Sequence, residues 1–166
     1  MSKVIIYKSK TGHTERYAKM LSEELNIPCY SYKDVKINDN DEVIFLSYIY
    51  ASKIMGLSKI LKKYKVKVVI AVGALAHSKD YLNTLKQANN IDTPFFYLRG
   101  GINYSKLNFF FKKFLPIIGK DIAKDDKELL SLFKNGGDFV SKDNLKDIFD
   151  FFNKKYYNID NFSKGV

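Results

Sequence analysis

Cysteine is almost missing from this sequence: Cys29 stands alone in 166 residues. No intrachain disulfide can form, which excludes the small disulfide-built secreted scaffolds and makes the cytoplasm the default compartment. Cys29 itself is expected as a strand residue rather than a redox centre. Long hydrophobic runs are absent too. No stretch of about 18 uncharged apolar residues occurs, so no transmembrane span is expected. The N-terminal Met1-Ser2-Lys3 enters a short strand without the apolar stretch and small-residue cleavage site of a secretory leader. Arginine is scarce: of 28 basic residues only Arg16 and Arg99 are Arg. Since Arg is the preferred bidentate reader of base edges, sequence-specific DNA recognition is disfavoured. Two glycine motifs are lacking as well. Without G-x-x-x-x-G-K-[ST] there is no nucleoside-triphosphate loop, and without G-x-G-x-x-G there is no dinucleotide turn. No metal-ligand cluster, internal repeat or low-complexity tract stands out. The expected organisation is one domain over 1–157 followed by a tail over 158–166.

What is present is apolar and basic. The 46% of apolar residues gives a chain of this length a substantial core. The net charge of +10 is uneven: residues 1–120 hold 20 basic against 9 acidic side chains, and 121–166 hold 8 against 9. Such an excess favours anionic ligands, acidic partners or anionic surfaces.

Strand and helix patterns alternate five times. Strands are expected at Val4–Tyr7, Pro28–Val35, Glu42–Ser47, Val66–Gly73 and Phe95–Leu98. Helices are expected after residue 14, over Ile54–Tyr64, Ser78–Asn89 and Tyr104–Leu115, over Lys127–Lys134, and from the cap Ser141 onward with Leu145, Ile148, Phe149, Phe152 and Tyr156 on one face. The continuous apolar run Val43–Leu46 suits a strand covered on both faces. The pattern predicts an α/β fold with a parallel sheet. Ligands of such sheets bind beyond the carboxyl ends of the strands, where strand order reverses. Three loops then form the candidate site: 8–14, 47–53 and 73–81.

The first of these is the most telling. Ser9-Lys10-Thr11-Gly12-His13-Thr14 links the first strand to the first helix. First-turn N–H groups lack intrahelical partners, and the helix dipole favours negative charge there. Three hydroxyls and Lys10 add donors, and Gly12 lets backbone approach a ligand. The stretch reads as a cradle for a compact terminal phosphate or, equally, as a polar turn with a Thr N-cap.

Ser9–Thr14 resembles the (S/T)-x-T-G-x-T phosphate loop of flavodoxins, and Phe45–Ile54 is similar to the matching segment of the branch that includes the menaquinone-dependent protoporphyrinogen oxidases. Gly136–Ser141 resembles the lead-in to the last helix of that branch. The resemblance implies a three-layer, doubly wound, five-stranded parallel sheet of strand order 2-1-3-4-5. It implies FMN as cofactor, its phosphate held by Ser9, Lys10, Thr11, Gly12, His13 and Thr14. The flavin ring would lie against Ser47, Tyr48, Ile49, Tyr50 and Ala51 and against Gly73, Ala74, Leu75, Ala76 and His77. One of Tyr48 and Tyr50 is expected to touch the ring. Electron-carrying flavodoxins often place a glycine in the first of these two stretches. Ser47–Ala51 has none, so positive φ is not expected there.

Function is then expected as FMN-dependent electron transfer, with a redox protein, a quinone or a porphyrinogen as partner. The chain fits a flavin-dependent oxidoreductase or a plain carrier; the oxidase branch and the basic surface weigh toward the former, and the lack of an evident insertion toward the latter. The alternative is a basic, flavin-free module for a membrane surface or nucleic acid, ranked below because no nucleic-acid motif is present. Lys59, Lys62, Lys63, Lys65 and Lys67 should form a solvated face opposite the site. Lys106, Lys112 and Lys113 flank Phe109-Phe110-Phe111 on the site's side, and a peripheral contact with an anionic membrane is an expectation there. Phe110, Phe111 and Phe114 are expected in the core.

Overall fold

The apolar runs of the sequence become neighbouring strands of one sheet, because only there can a run with no polar side be covered twice. The computed structural model describes residues 2–38, 40–123 and 126–160, and the side chains of all of these except 121, 122 and 154–160. In order, β1 (Lys3–Lys8) is followed by α1 (His13–Leu25), β2 (Cys29–Ser31), β3 (Glu42–Tyr50), β4 (Lys53–Ile54) and α2 (Leu57–Lys63). Then come β5 (Lys65–Gly73), α3 (Lys79–Ala88), β6 (Phe95–Arg99), β7 (Gly101–Ile102), α4 (Phe109–Ile122), α5 (Lys127–Asn135), β8 (Gly137–Asp138) and α6 (Lys146–Asp160).

Five strands lie parallel in the order β2-β1-β3-β5-β6, with β4 hairpinned onto β3. Leaving out that short return strand, this is the expected 2-1-3-4-5 order. Side chains alternate across each strand. Ile5, Ile44, Leu46, Val68 and Ile70 point to a core shared with Tyr17 and Leu21 of α1 and Ile148 and Phe152 of α6. Val4, Ile6, Val43, Phe45 and Val69 point to a second core with Leu57 and Ile60 of α2 and Leu85 of α3. Helices therefore cover both faces, giving the expected three layers. Cys29 is half-buried in β2, where burial pushes its thiol up to about 11 and keeps it unreactive at neutral pH. Lys65 and Lys67, at the far end of the sheet, pair with Glu42 at 3.3 and 3.4 Å.

Several elements differ from expectation. β2 is shorter than Pro28–Val35, because the chain turns after Ser31, whose carbonyl accepts from Asp34 N–H at 2.9 Å. β3 does not stop at Ser47 but runs on to Tyr50, and Ile54 belongs to β4 rather than to a helix. Ala51 and Ser52 make the two-residue link, with φ of 47° and 60°. Paired positive φ values are the geometry of a type I′ hairpin turn, so positive φ occurs here without glycine. The helix expected from Tyr104 starts instead at Phe109, because the Asn108 side chain caps it by accepting from Phe111 N–H at 3.0 Å. It continues through Pro116, an interior proline that costs about 3 kcal/mol. Packing on α5 offsets this: a Cβ on Gly119 would lie 2.4 Å from Phe133 Cβ, so the two helices touch at backbone distance.

The segment between β7 and β8 is itself a difference. These two short strands pair antiparallel, Gly101 with Asp138 and Ile102 with Gly137. They clamp an insertion that carries both α4 and α5, where no insertion was evident in the sequence. The last helix follows Ser141 as expected, through a short 3-10 turn whose N–H at Asp143 is capped by Ser141 Oγ at 3.2 Å. Leu145, Ile148 and Phe152 are buried, whereas the Tyr156 side chain lies outside the described residues. α6 runs to Asp160, and 161–166, most of the expected tail, lie outside them as well.

Candidate functional site

Parallel register fixes where the strands end. Lys8 pairs with Ser47, Tyr48 with Val72, and Gly73 with Arg99. The chain therefore leaves β1, β3, β5 and β6 along one edge of the sheet. A cleft of about 210 Å³ opens there. At about 30 Å³ per water molecule this is ligand-sized rather than a hydration site. Its walls are Thr11, His13 and Thr14 at the start of α1, Tyr48, Ile49 and Tyr50 of β3, Gly73 and Ala74 after β5, and Leu107, Phe111 and Leu115 of the insertion. Among the described residues no carboxylate lines it.

The α1 end of the cleft is a donor cradle. Gly12 is the N-cap, with φ 103°, and no side chain caps the helix. A Thr N-cap is therefore not what this turn builds. Ser9 Oγ instead accepts from Gly12 N–H at 3.1 Å, and Thr11 Oγ1 lies 3.2 Å from His13 Nδ1. The positive end of the helix dipole is left open toward the cleft. Lys106 approaches from the insertion: a Cβ on Gly12 would lie 3.2 Å from its Nζ. The other end of the cleft is aromatic. Tyr50 and Phe111 meet edge to face at 5.9 Å, and Lys10 Nζ sits 4.2 Å from the Phe111 ring centre and 6.0 Å from that of Tyr50. Such cation–π contact holds Lys10 between the cradle and the aromatic wall.

A second cleft, of about 380 Å³, adjoins the first, lined by Gly12, Arg16, Tyr104, Lys106 and Asp138, with Thr11, His13, Ile102 and Asn103 shared. Here Asp138 pairs with Arg16 and lies 3.9 Å from His13 Nε2. Burial lowers the His13 pKa below its ordinary 6.5, against the opposing pull of Asp138, so the ring is neutral at pH 7. Burial pushes the Asp138 carboxyl up, but the Val140 N–H and Arg16 outweigh it and hold the group below the usual carboxylate range.

The residues singled out in the sequence are distributed as follows. Ser9, Lys10, Thr11, Gly12, His13 and Thr14 gather in the cradle, and Tyr48, Ile49, Tyr50, Gly73 and Ala74 reach the cleft. Both tyrosines line it. Ser47 is fully buried and donates to the Met55 carbonyl at 2.6 Å, fastening β3 to the turn before α2. Ala51 is exposed at the hairpin tip. Leu75, Ala76 and His77 lead away from the cleft: Leu75 O accepts from the Tyr97 hydroxyl at 2.7 Å, and the exposed His77 ring packs on Tyr97 at 5.3 Å.

Ile102, Asn103, Leu107, Phe111 and Leu115 were not singled out for this site, yet they close it, and Lys106 lines the neighbouring cleft beside Gly12. Their only sequence signal is the pair of glycine doublets, Gly100-Gly101 and Gly136-Gly137, which bracket the insertion. A Cβ on Gly101 would lie 2.1 Å from the Gly137 carbonyl oxygen, so the clamp requires glycine. Among the described residues no group of three or more His, Cys, Asp or Glu could hold a metal. No described helix is long and apolar enough to cross a membrane.

Comparison with curated proteins and with solved structures gives no significant match. A family model of the flavodoxin domain matches residues 4–129, from β1 into α5, and thus takes in the cradle, the cleft and the parallel sheet just described. The chain belongs to the flavodoxin-domain family.

Proposed function

We propose that this chain binds FMN at the cleft and serves as a flavin-dependent redox protein. Flavodoxin domains typically bind FMN, and the residues present suit that molecule. The observation that carries the reading is the polarity of the cleft: an open helix N-terminus with hydroxyls at one end, aromatic walls at the other, Lys10 between them, and no carboxylate among the described lining residues. A phosphate would be held by the α1 N–H groups, by Thr11 and Thr14, and by Lys10 and Lys106. A flat ring would lie among Tyr48, Tyr50 and Phe111 beside Gly73 and Ala74. The flavin, when bound, supplies the electron or hydride chemistry; the chain supplies position, electrostatics and exclusion of water. Leu107, Phe111 and Leu115 form an apolar side to the cleft, which favours an electron partner with a flat apolar ring of the quinone or porphyrinogen kind, as the oxidase branch would use.

The test is uptake of FMN by the purified chain, read as quenching of flavin fluorescence, with riboflavin as the phosphate-free control. FMN should bind more tightly than riboflavin. Thr11→Asp combined with Thr14→Asp should abolish FMN binding by charge repulsion. A chain that takes up no FMN, or a double variant that binds it as before, overturns the reading.

A further inference from the structure

The helix that closes the cleft has a second face, and it is not in the core. Phe109, Phe110, Phe114, Ile117 and Ile118 are 75, 70, 50, 56 and 46% exposed. Phe110 and Phe114 were expected to be buried; only Phe111 of that trio turns inward, onto the cleft. The reason is geometric. α4 packs through Phe111, Leu115 and Gly119, which lie along one side of the helix; Phe109, Phe110, Phe114 and Ile117 lie about 100° to 160° from that line and Ile118 borders it at about 60°. Outside α4, the described chain exposes only Tyr50 and Leu61 among its large apolar side chains. The five on α4 therefore form a patch and not ordinary scatter.

Charge borders this patch. α4 holds Lys112, Lys113 and Lys120 against a single acid, Asp121, and Lys106 stands in the turn just before it. Among the described residues none of these four lysines pairs with a carboxylate. On the helix wheel Lys113 and Lys120 fall between Phe109 and Ile117 and Lys112 just outside Phe109, so the lysines gather at the Phe109 edge of the face, while the position of Asp121 falls between Phe110 and Phe114. At 14 residues α4 is about 21 Å long, too short for a hydrocarbon core of about 30 Å. Its shape is that of an element lying in an interface, apolar side chains inward and ammonium groups level with a charged layer.

We propose that the outer face of α4 docks on an anionic lipid bilayer. The phenylalanine and isoleucine side chains enter the boundary between headgroups and acyl chains, and the lysines meet the lipid phosphates. A second copy of the chain is a poor occupant of the same face, since it would bring one lysine edge against another and +10 against +10. The proposal goes beyond flavin binding and does not rest on it, because the assays below read the chain with or without FMN.

The experiment is co-sedimentation with vesicles of phosphatidylcholine alone and of phosphatidylcholine with phosphatidylglycerol in equal parts, at low and high salt. The chain should bind only the anionic vesicles and leave them as salt rises. The sequence has no tryptophan, so Phe110→Trp places a single reporter on the face, and its emission should shift to the blue on binding. Lys112→Gln, Lys113→Gln and Lys120→Gln together should weaken binding about a hundredfold, at about fivefold per lysine. Phe109→Ser with Phe110→Ser should weaken it more than tenfold, roughly the effect of keeping one ring in water. Thermal melting should be unchanged in both variants, because the altered side chains are exposed. Absence of binding to the anionic vesicles overturns the proposal. So does binding that survives both sets of substitutions. So does a wild-type dimer that Phe109→Ser and Phe110→Ser dissolve, since the face would then be taken by a second copy.

Discussion

Replacing Gly12 by alanine tests whether the cradle depends on backbone geometry. Two effects could oppose the new methyl. The first is conformational: at φ 103° an L-residue lies outside its allowed regions, at a cost of about 1–3 kcal/mol. The second is steric: the methyl carbon would sit 3.2 Å from Lys106 Nζ. That neighbour is the far end of an exposed, flexible side chain and can swing aside at little cost, so strain should dominate. For a chain of this size, about 2 kcal/mol corresponds to a fall in Tm of roughly 4–8 °C. Thermal and urea unfolding of Gly12→Ala, of Lys106→Ala and of the pair would separate the two effects. If strain dominates, the double variant is no more stable than Gly12→Ala. Recovery of stability in the double variant would assign the cost to the lysine contact. A Gly12→Ala chain within about 0.5 kcal/mol of the parent would refute the claim that this turn needs glycine.

Two further outcomes follow from buried groups. Because burial holds the His13 pKa below its ordinary 6.5, the unfolded chain binds more protons than the folded one just below that value. Stability should therefore be complete above about pH 6.5 and decline as pH falls below it, and His13→Gln should flatten that decline in urea unfolding at pH 5.5 and 7.5. An equal decline in both chains would place the acid sensitivity elsewhere. The Tyr17 hydroxyl, on a fully buried ring, donates to Arg99 O at 2.7 Å and accepts from Asn144 Nδ2 at 2.6 Å. Tyr17→Phe takes a bond from the Arg99 carbonyl and from the exposed Asn144 amide, which keeps its bond to Phe139 O, and should cost about 1 kcal/mol. A loss below about 0.5 kcal/mol would mean that water replaces the hydroxyl.

The sequence by itself determined the layers and the cradle. Continuous apolar runs in Val43–Leu46 and Val68–Val72 suit strands covered on both faces, and amphipathic stretches between them suit the covering helices. The hydroxyl-rich turn around Gly12 is equally local, since a strand, a glycine and a helix start lie within a few residues of one another. Tertiary structure decided what is not local. Whether β3 ends at Ser47 or Tyr50 depends on a hairpin partner, Lys53–Ile54, that has no apolar pattern of its own. The role of Lys106 depends on a clamp between Gly101 and Gly137, residues far apart in the chain. The faces of α4 were the least legible. Its residues are apolar almost all round, so periodicity gives no direction, and only the seat of Gly119 on Phe133 settles which phenylalanine faces the cleft and which face the solvent.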